Sequence, residues 1–248
     1  MKKLKWAVLF AAFVSVFGFS SCLESEKGNT YDLYEYVTVR GLGSTVTMKG
    51  DVSGCTFVPT STDVLAALEL KEGGYYKRAL VAMKLAEAYV ANQPTYKVSA
   101  IQVYNYLPYK GLNMASDTLD AKGHGDYKFS NLGSGQSKPW VSAGFVNVNF
   151  GINVPTSNPS LDDFHLYVTG ASNDTLYTKL RYVKDNTSAY TSISELVSFE
   201  IPSSVMYNPS ISNMLNNDSI VITVVATGTN GELKSSTDKF HRKELSNY

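Results

Sequence analysis

Cys22 is the residue whose type and position point most directly to chemistry. It follows Lys2, Lys3 and Lys5, an almost wholly apolar run from Trp6 to Phe19, and two small residues, Ser20 and Ser21. As a helix that run would span about 21 Å at ~1.5 Å per residue, short of the ~30 Å hydrocarbon core. It therefore reads as an export signal over residues 1–21 rather than as a membrane span. A thiol directly after such a signal is placed for acylation. Several acyl chains would make attachment durable where one would not.

Phe19-Ser20-Ser21-Cys22 resembles the bacterial lipobox, with Phe19 where leucine is usual. The resemblance implies lipidation of Cys22, palmitate among the chains, and an outer-membrane protein whose first partner is the bilayer. Residues 22–30 then form a tether, and Glu24 and Glu26 within it are similar to the acidic stretch of cell-surface lipoproteins in Bacteroidetes. A solvated tether facing the periplasm is the other reading.

With Cys22 acylated, Cys55 is the remaining one of two cysteines, so no intramolecular disulfide is expected. No base adjoins Cys55, which reads as a small buried hydrophobe rather than a reactive thiol. Three histidines, His124, His165 and His241, show no metal-ligand spacing. Gly123-His124-Gly125-Asp126 reads as a turn, His165 as a strand residue, His241 as solvated. Asp162-Asp163 lacks the spaced oxygens of a calcium loop. There is no nucleophile elbow or phosphate loop. The protein is expected not to be an enzyme, and no cofactor or metal is expected. Formal net charge is +0 with no Lys/Arg cluster, which argues against nucleic acid as a partner.

Three stretches, Asp117-Thr118-Leu119, Asp174-Thr175-Leu176 and Asp218-Ser219-Ile220, match an Asp-Ser/Thr-apolar pattern. The pattern looks like the O-glycosylation acceptor of Bacteroidetes envelopes. It makes Thr118, Thr175 and Ser219 candidates, Thr118 first because its surroundings read as a loop. Ordinary turn chemistry explains the same residues. Tyrosine is abundant, with 17 copies, dense at Tyr75-Tyr76 and at Tyr104, Tyr106 and Tyr109. Exposed rings could stack on sugars or anchor a protein partner. Cross-strand packing is the plainer account.

The elements that must position these residues are mostly strands. Tyr31–Arg40, Ser44–Lys49 and Tyr96–Leu107 are rich in β-branched and aromatic residues. Asp63–Leu70 has helical spacing and a cap in Ser61 or Thr62. Tyr76–Ala88 fits either a helix or a strand with Ala79, Val81, Met83 and Leu85 inward and Arg78 and Lys84 outward. Glycines spread over residues 111–139 suggest a linker or long loop. Beyond it, strand runs begin at Phe145, Phe164, Leu176, Leu196 and Ser219, and Asn230-Gly231 signals a hairpin. That many short strands in residues 140–248 suggest an immunoglobulin-like β-sandwich.

The order of elements is similar to that of the NigD-like lipoproteins of Bacteroidetes. It is carried by the tyrosine-bearing Tyr31–Val39, Thr56-Phe57-Val58-Pro59, the Lys71-Glu72-Gly73-Gly74 turn into Arg78–Met83, then Phe145–Phe150, Leu176–Tyr182 and Val197–Ile201. The resemblance implies an OB-like β-barrel over residues 31–110 before the sandwich. It favours a strand at Tyr76–Ala88. It also implies a non-enzymatic envelope protein with a bacteriocin immunity or binding role; a surface carbohydrate-binding lipoprotein using exposed tyrosines is the alternative. It defines no functional residues.

Overall fold

The computed structural model describes residues 31–41, 45–68, 77–114, 127–133, 138–154, 160–183 and 191–242. Cys22, Thr118 and His124 lie outside them.

The first unit is a closed barrel of β1 (Leu33–Arg40), β2 (Thr47–Gly50), β3 (Thr56–Pro59), β4 (Arg78–Leu85) and β5 (Thr95–Tyr106). Its order is β1-β2-β3-β5-β4, with β4 pairing back onto β1. Only β3 and β5 run parallel; the other pairs are antiparallel. Inward alternation builds its core from Val37, Val39, Met48, Phe57, Val81, Met83, Tyr96 and Val98. The ambiguous segment is thus a strand, and Ala79, Val81, Met83 and Leu85 face inward as the period of two requires. Pairing on both edges outweighs the helix propensity of its alanines. The expected helix at Asp63–Leu70 is instead a 3₁₀ turn over Thr62–Leu68. Its buried residues, Leu65 and Leu68, are three apart, the repeat of that tighter helix.

The second unit contains β6 (Tyr109–Gly111), β7 (Asn113–Met114), β8 (Phe129–Leu132), β9 (Trp140–Ser142), β10 (Phe145–Val154), β11 (Phe164–Ser172), β12 (Thr175–Tyr182), β13 (Thr191–Glu200), β14 (Ser219–Gly228), β15 (Gly231–Ser236) and β16 (Phe240–His241). Two short helices, α1 (Ser203–Met206) and α2 (Pro209–Ser212), lie between β13 and β14. The apolar faces of β10 and β13 pack on those of β11, β12 and β14 around Phe150, Phe164, Tyr182 and Phe199. Phe150 lies 5.1 Å from Phe164, ring centre to ring centre. The class is the expected one: mainly β, an OB-like barrel followed by an immunoglobulin-like sandwich. Here β8 joins the two sheets, pairing with β10 on one side and touching β14 at Gly228 on the other.

The segment read as a linker, residues 111–139, is not one where it is described. Tyr109–Gly111 pairs with β13, Asn113–Met114 with β11, and β8 is a sandwich strand. Leu112 and Phe129 are buried in the sandwich core, so apolar residues between the glycines hold the segment down. The β14–β15 hairpin turns at Thr229-Asn230, with Gly228 opposite Gly231. A second two-residue turn, Asn173-Asp174, joins β11 to β12 with both residues at positive φ, a conformation Asn and Asp tolerate.

Candidate functional site

The polar residues brought closest together sit where the barrel meets the sandwich. Thr38 and Arg78 are paired across β1 and β4 on the outer face of the barrel. Asn147 and Ser198 are paired across β10 and β13 on the outer face of the sandwich. The two faces meet, so residues outward on their own strands become interior to the molecule. Arg78 is fully buried. Its Nη1 donates to Thr38 Oγ1 at 2.7 Å and to Asp51 Oδ1 at 2.7 Å. Its Nη2 donates to Asp51 Oδ2 and Asn147 Oδ1, both at 2.7 Å, and Nε donates to Ser198 Oγ at 3.3 Å.

Asp51 accepts once more, from Trp140 Nε1 at 2.9 Å, and Ser198 Oγ donates to Asn147 Oδ1 at 2.7 Å. The Phe145 ring lies 5.3 Å from the guanidinium carbon. All five guanidinium donor directions are used, and the fork meets the carboxylate with two parallel bonds. The network holds the two domains together and leaves no guanidinium N–H for a ligand. At the rim, the exposed Lys77–Glu200 pair at 3.0 Å contributes little. A shallow hollow of about 230 Å³ opens there between Arg40, Lys77, Phe145 and Glu200. Arg40 crosses it to donate to Ala143 O at 2.6 Å.

Beside this joint, Glu35 is buried and caps the β2–β3 turn. Its carboxylate accepts from Val52 N and Ser53 N at 3.1 Å and from Ser53 Oγ at 2.8 Å. Burial pushes the carboxyl above its ordinary value despite those donors. Burial also raises the Tyr36 phenol, with the Asp51 charge adding to it.

The residues singled out in the sequence fall elsewhere. Cys55 packs against the barrel core, and its thiol reaches Gln93 O at 3.4 Å. His165 stacks on Tyr167, and burial together with nearby Lys110 lowers its pKa. Asp163 accepts from Tyr182 Oη at 3.3 Å, while Lys110 Nζ donates to Asp162 O at 2.8 Å. Thr175 and Ser219, far apart in sequence, line one open hollow of about 490 Å³ with Asp174, Asn217 and Lys239. The parallel pairing of β12 with β14 brings them together. Thr175 is half-buried and Ser219 exposed. Among the tyrosines, Tyr34 and Tyr104 meet across β4 at 5.9 Å, and Tyr31 lies 6.5 Å from Tyr34.

Sequence reasoning placed Arg78 outward on a strand, correctly for the barrel alone. It missed the joint because Arg78's partners lie 27 to 120 residues away in sequence. The available signal was weak: an arginine at the edge of an apolar strand run.

No protein-family model matches the sequence, and no curated protein matches it. Solved structures are similar to it over most of their length. A protein described as toxin-related from Parabacteroides distasonis is 17% identical, with a TM-score of 0.56 over 86% of this chain and 96% of that one. A protein described as a lipoprotein from Bacteroides fragilis is 14% identical, with a TM-score of 0.48 over 84% and 97%. A NigD-like immunity protein from Bacteroides caccae is 15% identical, with a TM-score of 0.46 over 87% and 100%. At such identities the likeness is one of fold.

Proposed function

We propose that this chain is an outer-membrane lipoprotein, held by acyl chains on Cys22, that acts by binding rather than by catalysis, with a bacteriocin as the partner it meets. The observation that carries the reading is the placing of the joint. The sandwich is locked to the barrel at the Thr38–Arg40 end of β1, by Arg78 and by Arg40. The described chain begins at the other end of β1, about 23 Å away at ~3.3 Å per residue. A tether arriving at that end holds the barrel as a base and the sandwich as a presented module. A saturated joint keeps the two rigid, which lowers the ordering cost of binding.

Deleting the gene and challenging cells with bacteriocins from neighbouring strains tests this. Increased sensitivity to one or more of them is expected. Unchanged sensitivity across a broad panel counts against the immunity role. The exposed rings of Tyr34 and Tyr104 also fit a glycan-binding surface. Glycan-array binding that disappears with Tyr34→Ala and Tyr104→Ala would favour that second reading.

A further inference from the structure

Several of the large apolar side chains that the fold leaves exposed lie toward one end of the barrel. Of nine such residues among those described, Tyr34, Val52, Tyr89 and Val90 lie on elements near the end of the barrel where β1 begins, and Tyr104, farther along the wall, touches Tyr34. Antiparallel pairing sets the start of β1 beside the end of β4, Leu33 opposite Met83, with Asp32 N donating to Met83 O at 2.9 Å. The β4–β5 loop, residues 86–94, therefore projects from the same end. The β2–β3 turn adjoins that loop on its far side, because Thr56 N donates to Pro94 O and the Cys55 thiol reaches Gln93 O.

These groups are held outward by specific structure. Tyr89 is 62% exposed yet stacks at 5.4 Å, nearly parallel, on the buried Tyr96. The Tyr96 hydroxyl donates to Val90 O, and Gln93 N closes the loop on the same carbonyl. Asn92 at φ 66 completes the turn. Val90 and Val52, 56% and 64% exposed, are carried at the tips of two turns. Tyr34 and Tyr104 meet above Ala82, whose side chain is small enough to let the rings touch across β4.

We infer that this end of the barrel is a membrane-docking face that rests in the headgroup zone of the leaflet holding the anchor. The inference deepens the reading above and rests on its lipid anchor at Cys22. From Cys22 to Tyr31 the chain reaches at most roughly 32 Å, so the tether delivers this end of the barrel to the bilayer. Tyrosine, with an apolar ring and a polar hydroxyl, suits the membrane–water boundary. Apolar residues carried on turns can enter a soft surface such as the headgroup zone. The exposed charges nearby, Asp32, Glu87, Lys84 and Lys97, are of both signs. Docking therefore does not depend on anionic lipid.

The test places a fluorophore at the face. In the mature chain Trp140 is the remaining tryptophan. Tyr89→Trp and, as a control on the sandwich, Tyr207→Trp are each compared with the parent chain on phosphatidylcholine vesicles with and without brominated acyl chains. One arm uses protein acylated at Cys22; the other replaces Cys22 with a histidine tag held by a nickel-chelating lipid. Emission of Tyr89→Trp is expected to shift blue and to lose more than half its intensity on brominated vesicles in both arms. Tyr207→Trp is expected to be quenched no more than the parent. Absence of extra quenching for Tyr89→Trp in the tag-held arm overturns docking. So does its protection by a soluble glycan or by self-association instead of by lipid. Intact-mass analysis of protein from the native envelope, showing no acyl chain on Cys22, would remove the anchor alone and leave the tag-held arm to decide the docking face.

Discussion

Replacing Arg78 with methionine keeps the length of the side-chain stem and removes the guanidinium. The buried side chains of Arg78 and Asp51 are 0% and 1% exposed, so the pair is shielded from water. Removing one member of such a pair costs about 3–5 kcal/mol, chiefly because the other charge stays buried without its partner. Asp51 would keep the Trp140 indole as a side-chain donor, and Asn147 would keep Ser198, which places the loss inside that range rather than above it. Against a typical folding stability of about 5–15 kcal/mol this is a large fraction. Urea denaturation followed by far-UV circular dichroism and by Trp140 fluorescence measures it. The fluorescence reports the joint, so its transition should move to lower urea with the variant. Adding Asp51→Asn removes the stranded charge, so the double variant should be more stable than Arg78→Met alone, a coupling that a double-mutant cycle reads directly. A loss below about 1 kcal/mol, the scale of a surface pair, would refute the reasoning. So would a double variant no better than the single one.

Glu35 has a raised folded-state pKa, so the folded protein binds its proton more tightly than the unfolded chain does. That contribution is fully present below the unfolded value near 4.5 and is lost as pH rises through the folded value. Glu35→Gln should therefore gain stability relative to the parent as pH goes from 4 to 7, read from urea midpoints; parallel curves would contradict the assignment. Gly50 lies against the same carboxylate, and a Cβ there would stand 2.5 Å from Glu35 Oε2. Since that carboxylate is pinned by the β2–β3 turn, Gly50→Ala should cost about 1–3 kcal/mol in denaturant unfolding, and a neutral result would mean that the turn yields easily. Of the two described glycosylation candidates, exposed Ser219 should accept a glycan in preference to half-buried Thr175. Peptide mapping of protein from the native envelope checks this, and a mass equal to the acylated polypeptide alone rules modification out.

Alternation of apolar residues made Leu33–Arg40, Thr95–Tyr106, Phe145–Val154 and Ser219–Gly228 legible as strands, because which residues face a core is a local property of the pleat. The expectation of an export signal and an acceptor thiol at Cys22 rests on order and composition alone, since a targeting segment works as a sequence. Arg78–Leu85 could not be settled that way. Its alanines suit a helix, and only pairing with β1 and β5 made it a strand. The glycines of residues 111–139 hid the opposite case: Leu112 and Phe129 found a core that local composition did not disclose. Tertiary structure alone decided the fate of the outward residues. Arg78, Thr38, Asn147 and Ser198 all point away from their own cores, and what buries them is another domain. Tyr34, Tyr89 and Val90 also point outward, and no part of the described chain covers them. Strand periodicity gives the side of the sheet; whether anything covers that side depends on contacts up to 120 residues away.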